Sequence, residues 1–229
     1  MKHILSTLIL LLPLTVAAET FNTSPHPSGP EYPTPYVAIT GGKLEADSIG
    51  LFNFGKETSH SVLMGMDVSP FVGFELEYTD TNTFNDTQAG QVFVANGSGV
   101  VVAGVSADLS FKTRQVALLL NTHYPVAKHC TVFAKAGVSY IRVKAKAVVR
   151  AAALATNGVS TGVVGVLASG SATETDPAGK FVVGASYALS DNLSVLGQYS
   201  TTVHIGTEAD IDKEAFELSG FELGLTYRF

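Results

Sequence analysis

The sequence predicts an all-β fold, an eight-stranded antiparallel up-and-down transmembrane β-barrel, and three observations carry that expectation. Charged residues are only 15% of the 229-residue chain and hydrophobic ones 46%, against roughly 25% charged residues in soluble globular proteins. Apolar residues recur at every second position in short segments, the period of a strand with two unlike faces. Tight turns alternate with long connections between these segments, the layout of a barrel with short turns at one end and long loops at the other.

The chain opens with Lys2 and His3, an apolar stretch from Ile4 to Val16, and the small residues Ala17 and Ala18. This reads as a signal peptide over residues 1–18, because the stretch is shorter than the roughly 20 residues of a spanning helix. Residues 19–35, crowded with proline, serine and threonine, read as a flexible periplasmic lead. Residues 36–229 contain no comparable linker and are expected to form one barrel.

The first strand, Tyr36 to Lys43, is the weakest in pattern. The second, Ser61 to Val68, sets Val62, Met64, Met66 and Val68 on one face and Ser61, Gly65 and Asp67 on the other. After Ser69 and Pro70, the third sets Val72, Phe74, Leu76 and Tyr78 against Gly73, Glu75 and Glu77. The fourth, Gln115 to Tyr124, sets Val116, Leu118 and Leu120 against Gln115, Ala117 and Asn121. In the fifth, Thr131 to Tyr140, Val132, Ala134, Ala136, Val138 and Tyr140 oppose Lys135, Gly137 and Ser139. Phe181, Val183, Ala185 and Tyr187 outline the sixth strand, and Leu193, Val195 and Tyr199, opposite Ser194, Gln198 and Ser200, the seventh. The eighth sets Phe221, Leu223, Leu225, Tyr227 and Phe229 against Glu222, Gly224, Thr226 and Arg228.

A secreted sandwich also alternates, but its large residues pack against each other and its small polar ones face water. Here the polar face carries glycines, serines and charges of both signs, while the apolar face ends in aromatics, as expected when lipid lies outside. The long connections are Glu45–Ser59, Thr81–Thr113, Ala147–Gly179 and Ile205–Glu214. Two of them are unusual. Val148 to Ala172 is too apolar for a solvated loop, and Val105, Ala107, Leu109 and Phe111 alternate on odd positions whereas Val116 to Leu120 alternate on even ones. A bulge near Lys112 to Arg114 would absorb that shift, and these segments either extend the barrel beyond the membrane or form an apolar patch for a partner.

Eight strands enclose a space about filled by side chains. Glu75 and Lys135 each lie about five residues from the short-turn end, one layer of the barrel, with Gln198 at a similar height and Glu77 and Glu222 slightly above. The expectation is a polar cluster of Glu75, Glu77, Lys135, Gln198 and Glu222, with Lys43 a possible second cation. Paired carboxylates also serve acid–base catalysis, yet a polar lumen must hold its charges in mutual contact whatever its task, so no catalytic residue is assigned and the chain is read as no enzyme. Asp67 and Arg228 are placed to pair at the periplasmic rim. His60, His123, His129 and His204 have no metal-ligand spacing, the single cysteine, Cys130, has no partner for an internal disulfide, and no cofactor motif is present. A net charge of −6 without a basic run argues against nucleic acid.

His123-Tyr124-Pro125 followed by Phe133-Ala134-Lys135-Ala136-Gly137-Val138-Ser139-Tyr140 resembles the fourth and fifth strands of the OmpA-like outer-membrane barrels. The closing Tyr227-Arg228-Phe229 resembles the aromatic signal that the barrel assembly machinery recognises in that family, which assigns Tyr227 and Phe229 to an assembly signal. The resemblance runs from Tyr36 to Phe229 and implies location in the outer membrane of a Gram-negative cell. With no peptidoglycan-binding domain after Phe229, it does not imply cell-wall tethering.

Arg114, Arg142, Lys144 and Lys146 fall near the outer strand ends, where lipopolysaccharide is within reach; the first three are the candidate headgroup contacts. Two functions of different class fit the sequence. One is a closed barrel in a structural or surface-interaction role, whose loops touch a host or surface ligand. The other is a narrow channel for ions or small hydrophobic solutes.

Overall fold

A computed structural model describes residues 32–46, 52–96, 99–154, 163–204 and 217–229. The signal peptide, nearly all of the lead and the connection at 205–214 lie outside the described residues. The described residues form nine strands: β1 (Thr34–Ala46), β2 (Lys56–Asp67), β3 (Val72–Thr81), β4 (Phe84–Asn96), β5 (Gly99–Ala127), β6 (Cys130–Leu154), β7 (Val163–Ala188), β8 (Leu193–His204) and β9 (Glu217–Arg228). All pairings are antiparallel. Eight strands close a ring in the order β1, β2, β3, β5, β6, β7, β8, β9, with β9 returning to β1. Closure leaves the membrane-spanning part no edge, so every backbone donor and acceptor there has a strand partner, as a bilayer requires.

The alternation acts as a wall with two solvents. Along β3, Gly73, Glu75, Glu77, Thr79 and Thr81 are buried in the lumen, and Phe74, Leu76 and Tyr78 face out. Along β5, Gln115, Ala117, Leu119 and Asn121 point in while Val116, Leu118 and Leu120 point out. Tyr78, Val116 and Tyr140 lie side by side across three strands, an outward row of the kind that marks a membrane interface. At the opposite end Phe71 and Tyr124 stack at 6.2 Å between ring centres.

The described residues of two of the expected long loops are almost all strand. β5, β6 and β7 run to 29, 25 and 26 residues, against 12 for β2, β8 and β9, so they continue well past the Tyr78–Tyr140 row. β4 pairs with the far half of β5 and completes a four-stranded extension.

The expected bulge at Lys112 to Arg114 is not there: β5 pairs with β6 in one unbroken register from Val102↔Leu154 to Pro125↔Thr131. A one-residue offset sits in the neighbour instead, between Asp80↔Arg114 and Phe84↔Phe111, and Asn82 and Thr83 absorb it where β3 gives way to β4. Because β5 keeps its phase, Leu109 and Phe111 stay on the luminal face that Gln115 and Leu119 share. The apolar side switches because the outer solvent changes from lipid to water along the strand, not because the strand shifts register.

That switch builds a plug. Leu44, Ala46, Phe54, Phe84, Phe111 and Leu218 form a buried apolar cluster above the lumen. Phe54 meets Phe111 edge-on at 4.6 Å, and Phe84 stacks on Phe111 at 4.7 Å. Gly55, at φ 63°, takes the left-handed backbone that lets the chain leave Phe54 and enter β2. Asp86, on the extension, accepts from the Asn53 backbone N–H at 2.9 Å and the Gln88 amide at 3.0 Å. These bonds hold its carboxyl below the usual range and tie the Phe54 segment to β4.

Candidate functional site

The lumen below the plug is filled by charged and polar side chains from all eight ring strands. In its periplasmic half, Lys135 of β6 donates to Glu75 of β3 at 2.6 Å, with both side chains nearly wholly buried. The other oxygen of Glu75 accepts from the Tyr36 hydroxyl at 2.5 Å and the Asn121 amide at 3.2 Å. Gly65 makes room for this arrangement, since a Cβ there would overlap the Tyr36 ring. Likewise the Phe133 ring covers Gly184 and lies 4.8 Å from the Lys135 ammonium. A cavity of about 40 Å³ remains among Tyr36, Glu75, Asn121, His123 and Lys135. Asp67 is buried 3.5 Å from Arg228 and 3.9 Å from His123, both of which line this cavity.

A second ion pair lies deeper. Lys180 of β7 meets Glu77 of β3 at 2.9 Å, and both are essentially inaccessible to solvent. Lys180 also donates to Gln115 at 3.4 Å, and Gln115 in turn donates to Ser139 at 2.8 Å and Thr202 at 3.2 Å. On the other side, the Thr79 hydroxyl lies 3.1 Å from Glu77 and 2.9 Å from the Ser61 hydroxyl, and its one proton goes to either. Ser61 and Ser59 both donate to Glu222, at 3.2 and 3.1 Å, and the Gln198 amide donates to its second oxygen at 2.9 Å. A continuous line of polar contacts therefore crosses the barrel from β8 and β9 through β2 and β3 to β7, β5 and β6, with the single protons of Ser61 and Thr79 divided among Glu222, Glu77 and the contact between the two hydroxyls. A buried charge without such partners would cost several kcal/mol.

All five residues of the predicted cluster, Glu75, Glu77, Lys135, Gln198 and Glu222, are buried in the lumen, but they form two sets. Lys135 is in contact with Glu75 and Lys180 with Glu77, while Glu222 is met by hydroxyls and an amide. Lys43 does not contribute, because the luminal face of β1 carries Thr34, Tyr36, Ala38 and Thr40, which turns Lys43 outward and leaves it exposed. Lys180 is the cation the sequence analysis misses. The signal was present: with Phe181 and Val183 facing lipid, strict alternation sends Lys180 and Val182 inward.

Each luminal acid is engaged by a neighbour, and among the described residues no group of three or more His, Cys, Asp or Glu could hold a metal. On the outer wall, Arg114, Arg142 and Lys144 are exposed on adjacent strands, Arg114 directly opposite Arg142. Arg114 is already paired with Asp80 at 3.2 Å. Tyr227 and Phe229 are exposed on the lipid face and touch edge-to-face, 5.3 Å between ring centres.

Residues 53–229 match the family described as the OmpA-like transmembrane domain. No curated protein matches the chain. Among solved structures, Neisserial surface protein A is 14% identical, with 85% of this chain and 97% of that one covered and a TM-score of 0.51. Ail, the attachment invasion locus protein of Yersinia pestis, solved with the heparin analogue sucrose octasulfate, is 10% identical over 86% of this chain and 99% of that one, with a TM-score of 0.48. The N-terminal β-barrel domain of Pseudomonas aeruginosa OprF is 11% identical over 85% and 97%, with a TM-score of 0.46.

Proposed function

Since the chain belongs to the OmpA-like transmembrane domain family and is an outer-membrane β-barrel, we propose that it is a closed barrel whose task lies on its outer wall and extracellular strands. The role is structural or surface-interacting, without turnover and without passage through the lumen. One observation carries this reading: the lumen is doubly obstructed, by the hydrogen-bonded chain around Glu77 and Lys180 and by the aromatic plug of Phe54, Phe84 and Phe111 above it. An ion would have to displace paired charges and then cross an apolar layer, and the narrow-channel alternative supplies neither a polar path nor free space there. Apolar constrictions of this kind oppose conduction by excluding water.

The extension of β4 to β7 is the part of the chain that reaches a host or surface ligand in this reading. Arg142 and Lys144 contact lipopolysaccharide headgroups, beside an Arg114 that Asp80 already holds, and Tyr227 with Phe229 engages the barrel assembly machinery. Swelling of liposomes carrying the purified protein tests the closed lumen: small sugars and amino acids should enter no faster than in protein-free vesicles, and size-dependent swelling would overturn the reading.

A further inference from the structure

We propose that the outer wall of β5, β6 and β7, just beyond the Tyr78–Tyr140 row, is a site for the phosphates of an outer-leaflet glycolipid, read by Arg142, Lys144 and Lys146. The proposal rests on the lipid contact proposed above and changes its composition. Alternation along β6 sends these three side chains outward in one column, spaced by roughly 6.7 Å per two residues. The register sets Arg114 of β5 opposite Arg142 and Lys112 opposite Lys144. Like charges directly opposite one another destabilise a sheet, so four cations in two facing pairs need counter-charge.

Asp80 supplies it for β5 only, at 2.8 Å from Lys112 and 3.2 Å from Arg114. Among the described residues no carboxylate pairs with Arg142, Lys144 or Lys146. Their neighbours on β7 are Thr175, Thr173 and Ser171, hydroxyl groups that donate to an anion without competing for the cations. Glu174 is opposite Val143 and so faces the other side of the sheet. The wall is also concave here: a groove of about 380 Å³ is lined by Lys112, Arg142, Lys144 and Lys146, with Ser171 and Thr173. The guanidinium offers a fork that fits phosphate oxygens, and the ammonium groups add point charges.

The position selects a lipid over a free anion. Arg142 and Lys144 follow Tyr140 on the same outward face, and below Tyr140 that face continues into Val138 and Leu118, which are exposed to the hydrocarbon. A ligand with phosphates on its headgroup and acyl chains beneath satisfies both parts of this surface, whereas inorganic phosphate uses only the upper part. Asp80 fixes the β5 cations and leaves those of β6 to the ligand.

The test titrates the folded protein, held in nanodiscs of phosphatidylcholine, with lipopolysaccharide, with lipopolysaccharide stripped of its lipid A phosphates, and with phosphatidylglycerol. A variant carrying Arg142→Gln, Lys144→Gln and Lys146→Gln should bind intact lipopolysaccharide roughly tenfold to hundredfold more weakly. The stripped ligand should bind wild type as weakly as the intact one binds the variant, and phosphatidylglycerol should not separate the two proteins. Asp80→Asn, by releasing Lys112 and Arg114, should tighten binding. Equal binding of intact and stripped ligand to wild type would overturn the proposal, and that arm does not depend on the variant folding. A loss for phosphatidylglycerol as large as for lipopolysaccharide would also overturn it, by showing a basic patch for any anionic lipid. Liposome swelling reads none of these residues, so failure here leaves the closed-lumen reading standing and failure there leaves this one.

Discussion

Lys180 of β7 and Glu77 of β3 meet at 2.9 Å in the lumen, although β5 and β6 lie between their strands in the ring. The pair is therefore a strut across the barrel and not a ladder contact. Removing one partner leaves the other charged and enclosed, so Lys180→Met should lower unfolding stability by about 3 kcal/mol. Glu77→Gln added to it should recover part of the loss. Urea titration of vesicle-refolded protein, followed by heat-modifiable gel mobility, measures the cycle; two additive losses would mean that the residues do not interact.

Lys135 should behave as a separate strut. In a Lys135→Met background, Glu75→Gln should be compensatory, whereas Glu77→Gln, whose own partner is Lys180, should recover much less and Glu222→Gln should add an independent loss. Equal compensation by all three would restore the single cluster around Lys135 that the sequence suggests, and would contradict the two-pair arrangement.

Gly65 tests how the periplasmic half is packed. Gly65→Ala places a methyl group where the Tyr36 ring lies, so it should cost about 1–3 kcal/mol by overpacking and move the Tyr36 hydroxyl off Glu75. Tyr36→Phe in the Gly65→Ala background should then cost less than in wild type, because the hydrogen bond it deletes is already weakened. Identical costs in both backgrounds would count against the contact.

The lipid-facing phase is tested on β5. Leu120 is outward and exposed, between the interfacial Val116 row and Tyr124, so Leu120→Arg should destabilise by roughly 2–4 kcal/mol, as for a cation near the bilayer midplane. Arginine at Asn121 should instead strain the filled lumen near Tyr36 and Glu75. Spin labels at Leu120 and Asn121 separate the two: oxygen, enriched in lipid, should relax the label at 120, and the opposite pattern would reverse the assigned faces.

Most of the barrel is legible in the sequence because lipid outside and polar groups inside impose period two with a fixed sign. Phe74, Leu76 and Tyr78 against Glu75 and Glu77 suffice to place β3. Legibility fails where the outer solvent changes. Beyond the membrane, polar Ser110 and Lys112 face out while Leu109 and Phe111 face in, so a pattern search keyed to apolar residues sees a phase error and infers a bulge or a loop. Lys180 escapes for a related reason: it precedes Phe181, the first outward residue of the recognisable run, and so lies outside the segment that alternation marks. Lys43 fails differently, since Gly41 and Gly42 before it leave β1 without a clear apolar side. The pairing of each acid with its own lysine depends on barrel stagger, which alternation within single strands does not encode.

The central claim is that paired charges and an aromatic plug close the lumen, and conductance of single molecules in planar bilayers tests it most directly. The wild-type protein should insert without channel steps at either polarity, and a variant with Phe84→Ser, Phe111→Ser and Lys180→Ser should show small, frequent openings. Discrete ohmic steps from the wild type, unchanged by those substitutions, would mean that ions pass by a route that avoids both the plug and the Glu77–Lys180 strut, and would contradict the account.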